Sequence, residues 1–141
     1  MVELHHDDKG CIAEAAFRYE CFKRSITLFA PVKPTSRLDF IALRDDGSPV
    51  KIQVKWIWKK RDKKVCDIRR RRLSAKGTRA YNYQPQEVDV FAFYDDETRD
   101  FFIIPFDEIG EQTHLTFSDT PNRNQYDTNW MVYKNKFEYL K

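Results

Sequence analysis

The hydrophobic pattern predicts one helix at the beginning of the sequence. In the stretch DKGCIAEAAFRYECFKRS, apolar residues recur at intervals of three and four, which is typical of a helix with one buried face. The alanines in its middle favour helix formation, and Asp7 or Asp8 is the predicted cap. The polar residues between the apolar ones leave the opposite face of this helix for solvent or for chemistry.

Strand patterns follow the helix. TLFAPV is a short predicted strand, and RLDFIALR and VKIQVKWIW form a predicted hairpin around a turn rich in Gly and Pro. In the second arm, Gln53 and Lys55 are two residues apart, so both project to the same face. The alternating residues are Val50, Ile52 and Val54, which are predicted to share the opposite, apolar face.

The second half combines a basic excursion with an apolar hairpin. KKRDKKVCDIRRRRLSAKGTRAYNYQPQ is too highly charged for a core, and we expect a long, partly flexible excursion with room for a short strand such as VCDIRR. VDVFAFYDDETRDFFIIPF predicts two apolar strands and a polar turn. A short helix over residues 107–112, turns at TPNRNQYD and an aromatic segment, NWMVYKNKFEYL, complete the pattern.

Composition limits the class of protein. A chain of 141 residues with 41% hydrophobic content fits a single domain over residues 1–141, and its 15% aromatic content argues against disorder. The order of the elements predicts an α+β or α/β fold around a mixed sheet. No apolar run is long enough to cross a membrane, and three cysteines without CxxC spacing favour a reducing, cytoplasmic location.

Charge is strongly segregated along the chain. Residues 51–79 contain thirteen Lys or Arg and two Asp, whereas the rest of the chain contains twelve basic and twenty acidic residues. Such a block favours a polyanionic partner, and nucleic acid is the commonest one. A strand or loop between Trp56 and Arg72 is expected to enter a DNA groove. The candidate DNA-binding residues are Lys59, Lys60, Arg61, Lys63, Lys64, Arg69, Arg70, Arg71, Arg72, Lys76, Arg79 and Tyr81.

The predicted hairpin carries candidate chemistry for phosphodiester cleavage. Such hydrolysis needs oxygen ligands for one or two Mg²⁺ and a lysine that positions the attacking water or stabilises charge. Asp39 on the first strand and Gln53 and Lys55 on the second have a suitable order, although the register that would bring them together is open. Glu14 of the helix, flanked by small residues, is the best fourth candidate, and Glu20 is the second.

These motifs resemble the PD-(D/E)xK nuclease superfamily, in the branch that includes Holliday-junction resolvases. KGCIAEAAF resembles its helix motif, RLDFIAL the strand with the motif Asp, and KIQVKW the strand with (D/E)xK. YNYQPQEVDVFAFYDDETRDFFIIPFDEIG and NRNQYDTNW are similar to the homing-type members associated with group I introns. The resemblance covers about residues 9 to 139 and implies a restriction-endonuclease-like core with a mixed sheet flanked by helices.

The resemblance also implies a site and a partner. By position, the site is Glu14, Asp39, Gln53 and Lys55, with the first three as ligands of Mg²⁺ or, in substitution, Mn²⁺. Gln53 departs from the acidic motif residue, and its amide oxygen can bind a hard cation without adding charge. Double-stranded DNA is the expected substrate. One site cuts one strand, so a homo-oligomer, dimer or tetramer, is expected, with the aromatic segment Trp130 to Tyr139 as the interface.

Three functions are compatible with these residues. The first is a sequence-specific, homing-type DNA endonuclease, which the similarity of the tail favours. The second is a structure-selective nuclease that resolves four-way junctions of unrelated sequence. The third is a DNA-binding protein without catalysis, in which Gln53 marks a degenerate site and Lys55→Ala leaves activity unaffected. His5, His6 and His114 have no spacing typical of metal ligands and are interpreted as solvated.

Overall fold

The computed structural model describes residues 3–118 and 130–141. Within them, one long helix precedes a series of strands, and a one-turn helix precedes the last strand. The elements of the first half are α1 His6–Lys23, β1 Thr27–Phe29, β2 Phe40–Leu43, β3 Pro49–Trp56, β4 Trp58–Lys60 and β5 Lys63–Asp67. Those of the second half are β6 Arg70–Ser74, β7 Gly77–Tyr81, β8 Val90–Asp95, β9 Asp100–Pro105, α2 Phe106–Ile109, β10 His114–Phe117, and the 3₁₀ turns Trp130–Tyr133 and Phe137–Leu140.

Helix α1 begins two residues before the predicted stretch. Its N-cap is His5, whose Nδ1 accepts a hydrogen bond from the Asp7 backbone N–H at 3.4 Å, so the predicted Asp cap is wrong. Asp7 and Asp8 lie in the first helical turn instead, where their negative charges interact favourably with the positive end of the helix dipole. The buried residues of the helix repeat every four positions and are Ala13, Phe17 and Cys21.

A five-stranded mixed sheet, ordered β1-β2-β3-β8-β9, forms the centre of the fold and confirms the predicted class. β2 and β3 form the predicted antiparallel hairpin, whose turn contains Gly47 at a φ of 88°. β3 and β8 are parallel, whereas the other neighbours in the sheet are antiparallel. A parallel pair needs a long crossover, and residues 57–89 supply it.

The two faces of this sheet pack into two hydrophobic cores. On one face, α1 covers β2 and β3, and the predicted apolar side of β3, namely Val50, Ile52 and Val54, is buried there. On the other face, Phe91 and Phe93 of β8 pack against side chains from β5, β10 and α2. All six residues of β8 are buried, which confirms the prediction that this strand is apolar on both faces.

The basic segment is more regular than the sequence indicates. Where a partly flexible excursion with one short strand is predicted, the chain forms four strands. β4 and β5 join β10 in a three-stranded sheet, while β6 and β7 form a separate antiparallel ribbon. The alternation that identifies strands is hidden here because charged residues occupy both faces of the strands, yet pairing satisfies the backbone.

The end of the chain differs from the predicted tail. α2 spans Phe106–Ile109 instead of residues 107–112, and ends at Gly110, whose φ is 63°. The turns predicted at TPNRNQYD lie outside the described residues. Within the aromatic segment, Trp130 and Phe137 are buried in this chain's own cores, whereas Val132 and Tyr139 are exposed, so the predicted subunit interface stays a prediction. No helix in residues 3–118 or 130–141 is long and apolar enough to span a membrane.

Candidate active site

Asp39 lies where the central hairpin opens. Pairing between β2 and β3 ends at Phe40 and Ile52, so Asp39 stands beside Gln53 at the point where the two strands separate. Val54 lies beyond the last β2–β3 pair, and its backbone N–H donates to Asp39 Oδ2 at 2.8 Å. The missing strand pair thus determines where the carboxylate sits, and the register that sequence leaves open brings Asp39 and Gln53 together.

Glu14 reaches the same point from helix α1. It follows the fully buried Ala13, which allows the helix to approach the sheet closely. The two carboxylates of Glu14 and Asp39 are within hydrogen-bonding reach of each other. Glu20, the second candidate, lies further along the helix and forms ion pairs with Lys23 and Arg24 instead.

The environment raises the pKa of Asp39 to about 7. Burial is the largest cause, and the negative charge and hydrogen bond of Glu14 add to it, whereas the Val54 N–H and the positive charge of Lys55 oppose it. Near neutral pH, Asp39 is therefore only partly ionised while no cation is bound. A divalent cation at this point would favour the ionised form of Asp39 and compete with its proton.

Gln53 contributes a buried oxygen without a hydrogen-bond partner. Its Oε1 is shielded from solvent, and no donor within the described residues reaches it. Leaving such an atom unpaired costs about 1–3 kcal/mol, so it needs a compensating partner. A hard cation between Glu14, Asp39 and Gln53 would supply that partner, since carboxylate and amide oxygens are the ligands that Mg²⁺ accepts.

The donor set is therefore compatible with a divalent cation but weakly charged. Among residues 3–118 and 130–141, no three His, Cys, Asp or Glu side chains are grouped in a way that would hold a metal. Two carboxylates and one neutral amide form the ligand set here. A third carboxylate at Gln53 would add like-charge repulsion to a site that already raises the pKa of Asp39.

Lys55 follows Gln53 by two residues on the same face of β3. Its positive charge acts on Asp39, and its Nζ lies 5.2 Å from the centre of the Tyr83 ring. Gln53 and Lys55 alternate along β3 with the buried residues Ile52 and Val54, which pack under α1. The structure thus brings together all four residues that the sequence predicts for the site.

Several predicted DNA-binding side chains are held by carboxylates of the chain itself. Arg69 and Arg71 both bind Asp67, at 3.0 and 2.9 Å, and His114 lies 3.4 Å from the same carboxylate. The Arg69 hydrogen bonds, together with the nearby positive charges, lower the pKa of Asp67 to about 2. This cluster fixes the direction in which the two arginines extend.

Two lysines of β4 and β5 are similarly held. Lys59 pairs with Glu97 at 2.9 Å, and Lys64 pairs with the buried Asp95 at 2.7 Å. The bond to Asp95 raises the pKa of Lys64. These lysines tie the small sheet to the β8–β9 turn, and they are less available to DNA than the sequence suggests. In the part of the chain that is described, other basic residues of the segment have no carboxylate partner: Lys60, Arg61, Lys63, Arg72, Lys76 and Arg79.

The ribbon of β6 and β7 presents the exposed arginines. Arg72 and Arg79 are direct cross-strand partners, so their side chains lie on one face of the ribbon. Apart from Arg70, every residue of both strands is exposed. Like charges placed opposite each other destabilise an isolated ribbon, so the pair needs an external counter-charge. Tyr81 shares this face, opposite Arg70.

A groove beside Lys55 contains residues that the sequence analysis missed. It has a volume of about 700 Å³, and His6, Lys9, Trp58 and Lys60 line it. The His6 ring is exposed, as predicted, and it also stacks on Trp58 at 5.3 Å, while Lys9 Nζ lies 4.3 Å from the same Trp58 ring. The charge block predicted from residue 51 onwards could not include Lys9, because only the fold brings α1 beside β4.

A mixed sheet with two carboxylates, an amide oxygen and a lysine gathered where its central hairpin opens defines a nuclease-type site. The chain belongs to the PD-(D/E)XK endonuclease family, whose sequence model matches residues 4–139. This confirms the predicted family, and it makes the chain a nuclease by class with DNA as the substrate that the family implies.

The fold is similar to that of a solved bacterial homing endonuclease, I-Ssp6803I. The two structures superpose with a TM-score of 0.80 over 96% of this chain and 93% of the other, at 22% sequence identity. At that identity, the similarity establishes the fold. No curated protein matches the sequence.

Proposed function

We propose that this protein is a sequence-specific, Mg²⁺-dependent endonuclease of the homing type that hydrolyses double-stranded DNA. The observation that carries the proposal is the convergence of Glu14, Asp39, Gln53 and Lys55 where β2 and β3 separate. The similarity of the whole fold to a bacterial homing endonuclease supports the homing type.

Each side chain has a distinct task in this proposal. Glu14 and Asp39 supply the negative oxygens, and the unpartnered Oε1 of Gln53 supplies a neutral one, to hold Mg²⁺ or Mn²⁺. When bound, the cation supplies Lewis-acid stabilisation of the scissile phosphate and lowers the pKa of bound water. Lys55 holds an ammonium group next to Asp39, where it orients the attacking water or stabilises the charge that develops on phosphate.

A neutral ligand at position 53 is compatible with catalysis in this arrangement. Burial and Glu14 already raise the pKa of Asp39 to about 7. A further carboxylate beside it would therefore favour protonation of the metal-free site at neutral pH. The amide avoids a third buried charge and still offers an oxygen. We therefore infer that the site is catalytically active and binds the metal ion more weakly than a site with a carboxylate at position 53.

The ribbon and the adjoining groove are the proposed DNA-binding surface. A two-stranded ribbon fits the major groove, where arginine can bind guanine O6 and N7. Arg72 and Arg79 project together from one face of this ribbon, and a DNA phosphate or base edge between them would supply their missing counter-charge. The groove beside Lys55, lined in part by Lys9 and Lys60, would hold the backbone next to the cut.

Cleavage of both strands requires more than one copy of this site, so we propose a homo-oligomer, dimer or tetramer. In the aromatic segment at the end of the chain, Val132 and Tyr139 remain exposed and could contribute to the predicted interface. A second set of exposed apolar side chains lies at the end of α1 and around the edge strand β1: Phe22, Phe29 and Val32.

The test is cleavage of the source organism's genomic DNA with and without Mg²⁺, followed by sequencing of the new ends. Asp39→Asn is the inactive variant, and Asp45→Asn, at an exposed turn position, is the matched control. We expect ends at one or a few sites with the wild-type protein and with Asp45→Asn, and none with Asp39→Asn or without the metal ion.

Other outcomes distinguish the alternatives. Cleavage of synthetic four-way junctions of unrelated sequence, with no specific genomic ends, would replace the homing function by junction resolution. Tight DNA binding without cleavage of any substrate in Mg²⁺ or Mn²⁺ would leave a DNA-binding protein with a degenerate site.

A further inference from the structure

Tyr83 lies between the catalytic lysine and the DNA-binding ribbon. The Nζ of Lys55 is 5.2 Å from the centre of its ring, and the guanidinium carbon of Arg70 is 5.8 Å from the same ring centre. The ring is held in place by an edge-on contact with the fully buried Phe91, at a centroid distance of 5.2 Å and an angle of 84°. One rigid aromatic side chain thus contacts two cations of different function.

Glu87 connects the backbone next to Tyr83 with the ribbon. Glu87 accepts a hydrogen bond from the Gln84 backbone N–H at 3.0 Å, which anchors the residue next to Tyr83. The same carboxylate pairs with Arg70 at 3.2 Å and with Arg37 at 3.4 Å. Arg70 is the first residue of β6, so the carboxylate that anchors the backbone next to Tyr83 also pairs with the base of the ribbon.

A lysine side chain has four rotatable bonds, and its ammonium group is useful in catalysis only when it stays near the reacting phosphate. An aromatic face attracts the ammonium by its quadrupole and restricts its position without neutralising its charge. A carboxylate partner would restrict it as well, but would also neutralise it. Tyr83 can therefore restrict the position of the Lys55 ammonium group and leave its positive charge available to the substrate.

We propose that Tyr83 is a positioning residue that holds Lys55 for catalysis, and that its ring is the part that acts. Arg70 contacts the same ring, so the base of the ribbon and the catalytic lysine share one support. This proposal rests on the proposed nuclease function for its kinetic test, and its structural test is independent of that function.

The kinetic test measures single-turnover cleavage at saturating Mg²⁺ and, separately, metal-free DNA binding. Tyr83→Leu removes the ring, Tyr83→Phe retains it, and Phe106→Leu removes a neighbouring ring that packs on Phe91 without contacting Lys55. We expect Tyr83→Leu to cut about ten-fold more slowly or worse, with DNA binding within about two-fold of wild type. Tyr83→Phe and Phe106→Leu should both cut at close to the wild-type rate.

The structural test follows the ε-methylene protons of Lys55 by NMR in the metal-free protein. Protons near the face of an aromatic ring resonate upfield, so we expect an upfield position in the wild type and in Tyr83→Phe, and an ordinary one in Tyr83→Leu. If no DNA is cut by the wild-type protein, the proposed function fails and this measurement alone decides about Tyr83.

Three results would overturn the proposal. The first is cleavage by Tyr83→Leu at the wild-type rate. The second is a loss in Tyr83→Phe as large as that in Tyr83→Leu, which would assign the effect to the hydroxyl group. The third is a Lys55 resonance that Tyr83→Leu leaves unchanged.

Discussion

The substitution Asp39→Asn is expected to abolish cleavage and at the same time to stabilise the metal-free protein at alkaline pH. Asparagine retains the shape of the side chain, and its carbonyl oxygen can still accept the Val54 N–H that Asp39 accepts at 2.8 Å. It removes the charge that burial and Glu14 disfavour. The ionised carboxylate of Asp39 is thus predicted to lower the free energy of unfolding of the metal-free protein.

The magnitude follows from the pKa of Asp39. A rise from 3.8 to about 7 corresponds to about 4 kcal/mol of unfavourable free energy in the ionised folded protein. A raised carboxyl pKa means that the folded state binds the proton more tightly than the unfolded state does. The stabilising contribution of the protonated Asp39 is therefore complete below about pH 4 and is lost as the pH rises to about 7.

The assay is chemical denaturation of the wild type and Asp39→Asn in a chelator, from pH 4 to pH 9. We expect the two free energies of unfolding to agree near pH 4 and to diverge, with the variant more stable by up to about 4 kcal/mol above pH 7. Asp45→Asn, in the exposed turn, should follow the wild type. A difference that is constant with pH, or a variant less stable than the wild type at pH 8, would refute the raised pKa of Asp39.

Three further predictions address other parts of the molecule. Gln53→Met should weaken Mg²⁺ binding in calorimetry and raise metal-free stability by about 1 kcal/mol, since the unpartnered Oε1 disappears; unchanged Mg²⁺ affinity would exclude Gln53 as a ligand. Arg72→Ala and Arg79→Ala should each reduce the salt dependence of DNA binding by about one unit of log–log slope, whereas Lys59→Ala, already paired with Glu97, should change it less; equal effects would argue against the ribbon as the contact surface. Phe17→Ala should lower the free energy of unfolding by about 3–5 kcal/mol in urea denaturation, because the ring contacts Phe40, Phe101 and Phe137; a loss below 1 kcal/mol would contradict the described core.

The sequence indicated the parts of the site because their signals are local. Gln53 and Lys55 share a face of β3 through simple strand alternation, and the apolar residues between them predicted which face would be buried. The turn residues around Gly47 predicted the hairpin that brings Asp39 back towards Gln53. The cap of α1 was predicted wrongly because His5 rather than either aspartate performs that role.

The basic segment shows where sequence reasoning ended. Its charge predicted an anionic partner, but charge alone does not show which side chains are already neutralised within the fold. Arg69 and Arg71 pair with Asp67 on β5, Lys64 pairs with Asp95 at the end of β8, and Lys59 pairs with Glu97 in the β8–β9 turn. Asp67 is a near neighbour of both arginines, whereas the partners of Lys59 and Lys64 are 38 and 31 positions away and are revealed only by the pairing of distant strands.

The sequence by itself determined the α+β class, the hairpin and the family, and it predicted the four site residues, because each depends on neighbouring positions or on a motif. Only the tertiary structure decided how these residues act on one another. The opening of the sheet beside Asp39 leaves the Val54 N–H free for its carboxylate, and the packing of α1 places Glu14 against it. Burial then raises the pKa of Asp39, an effect that no local pattern encodes because it depends on what surrounds the group in space.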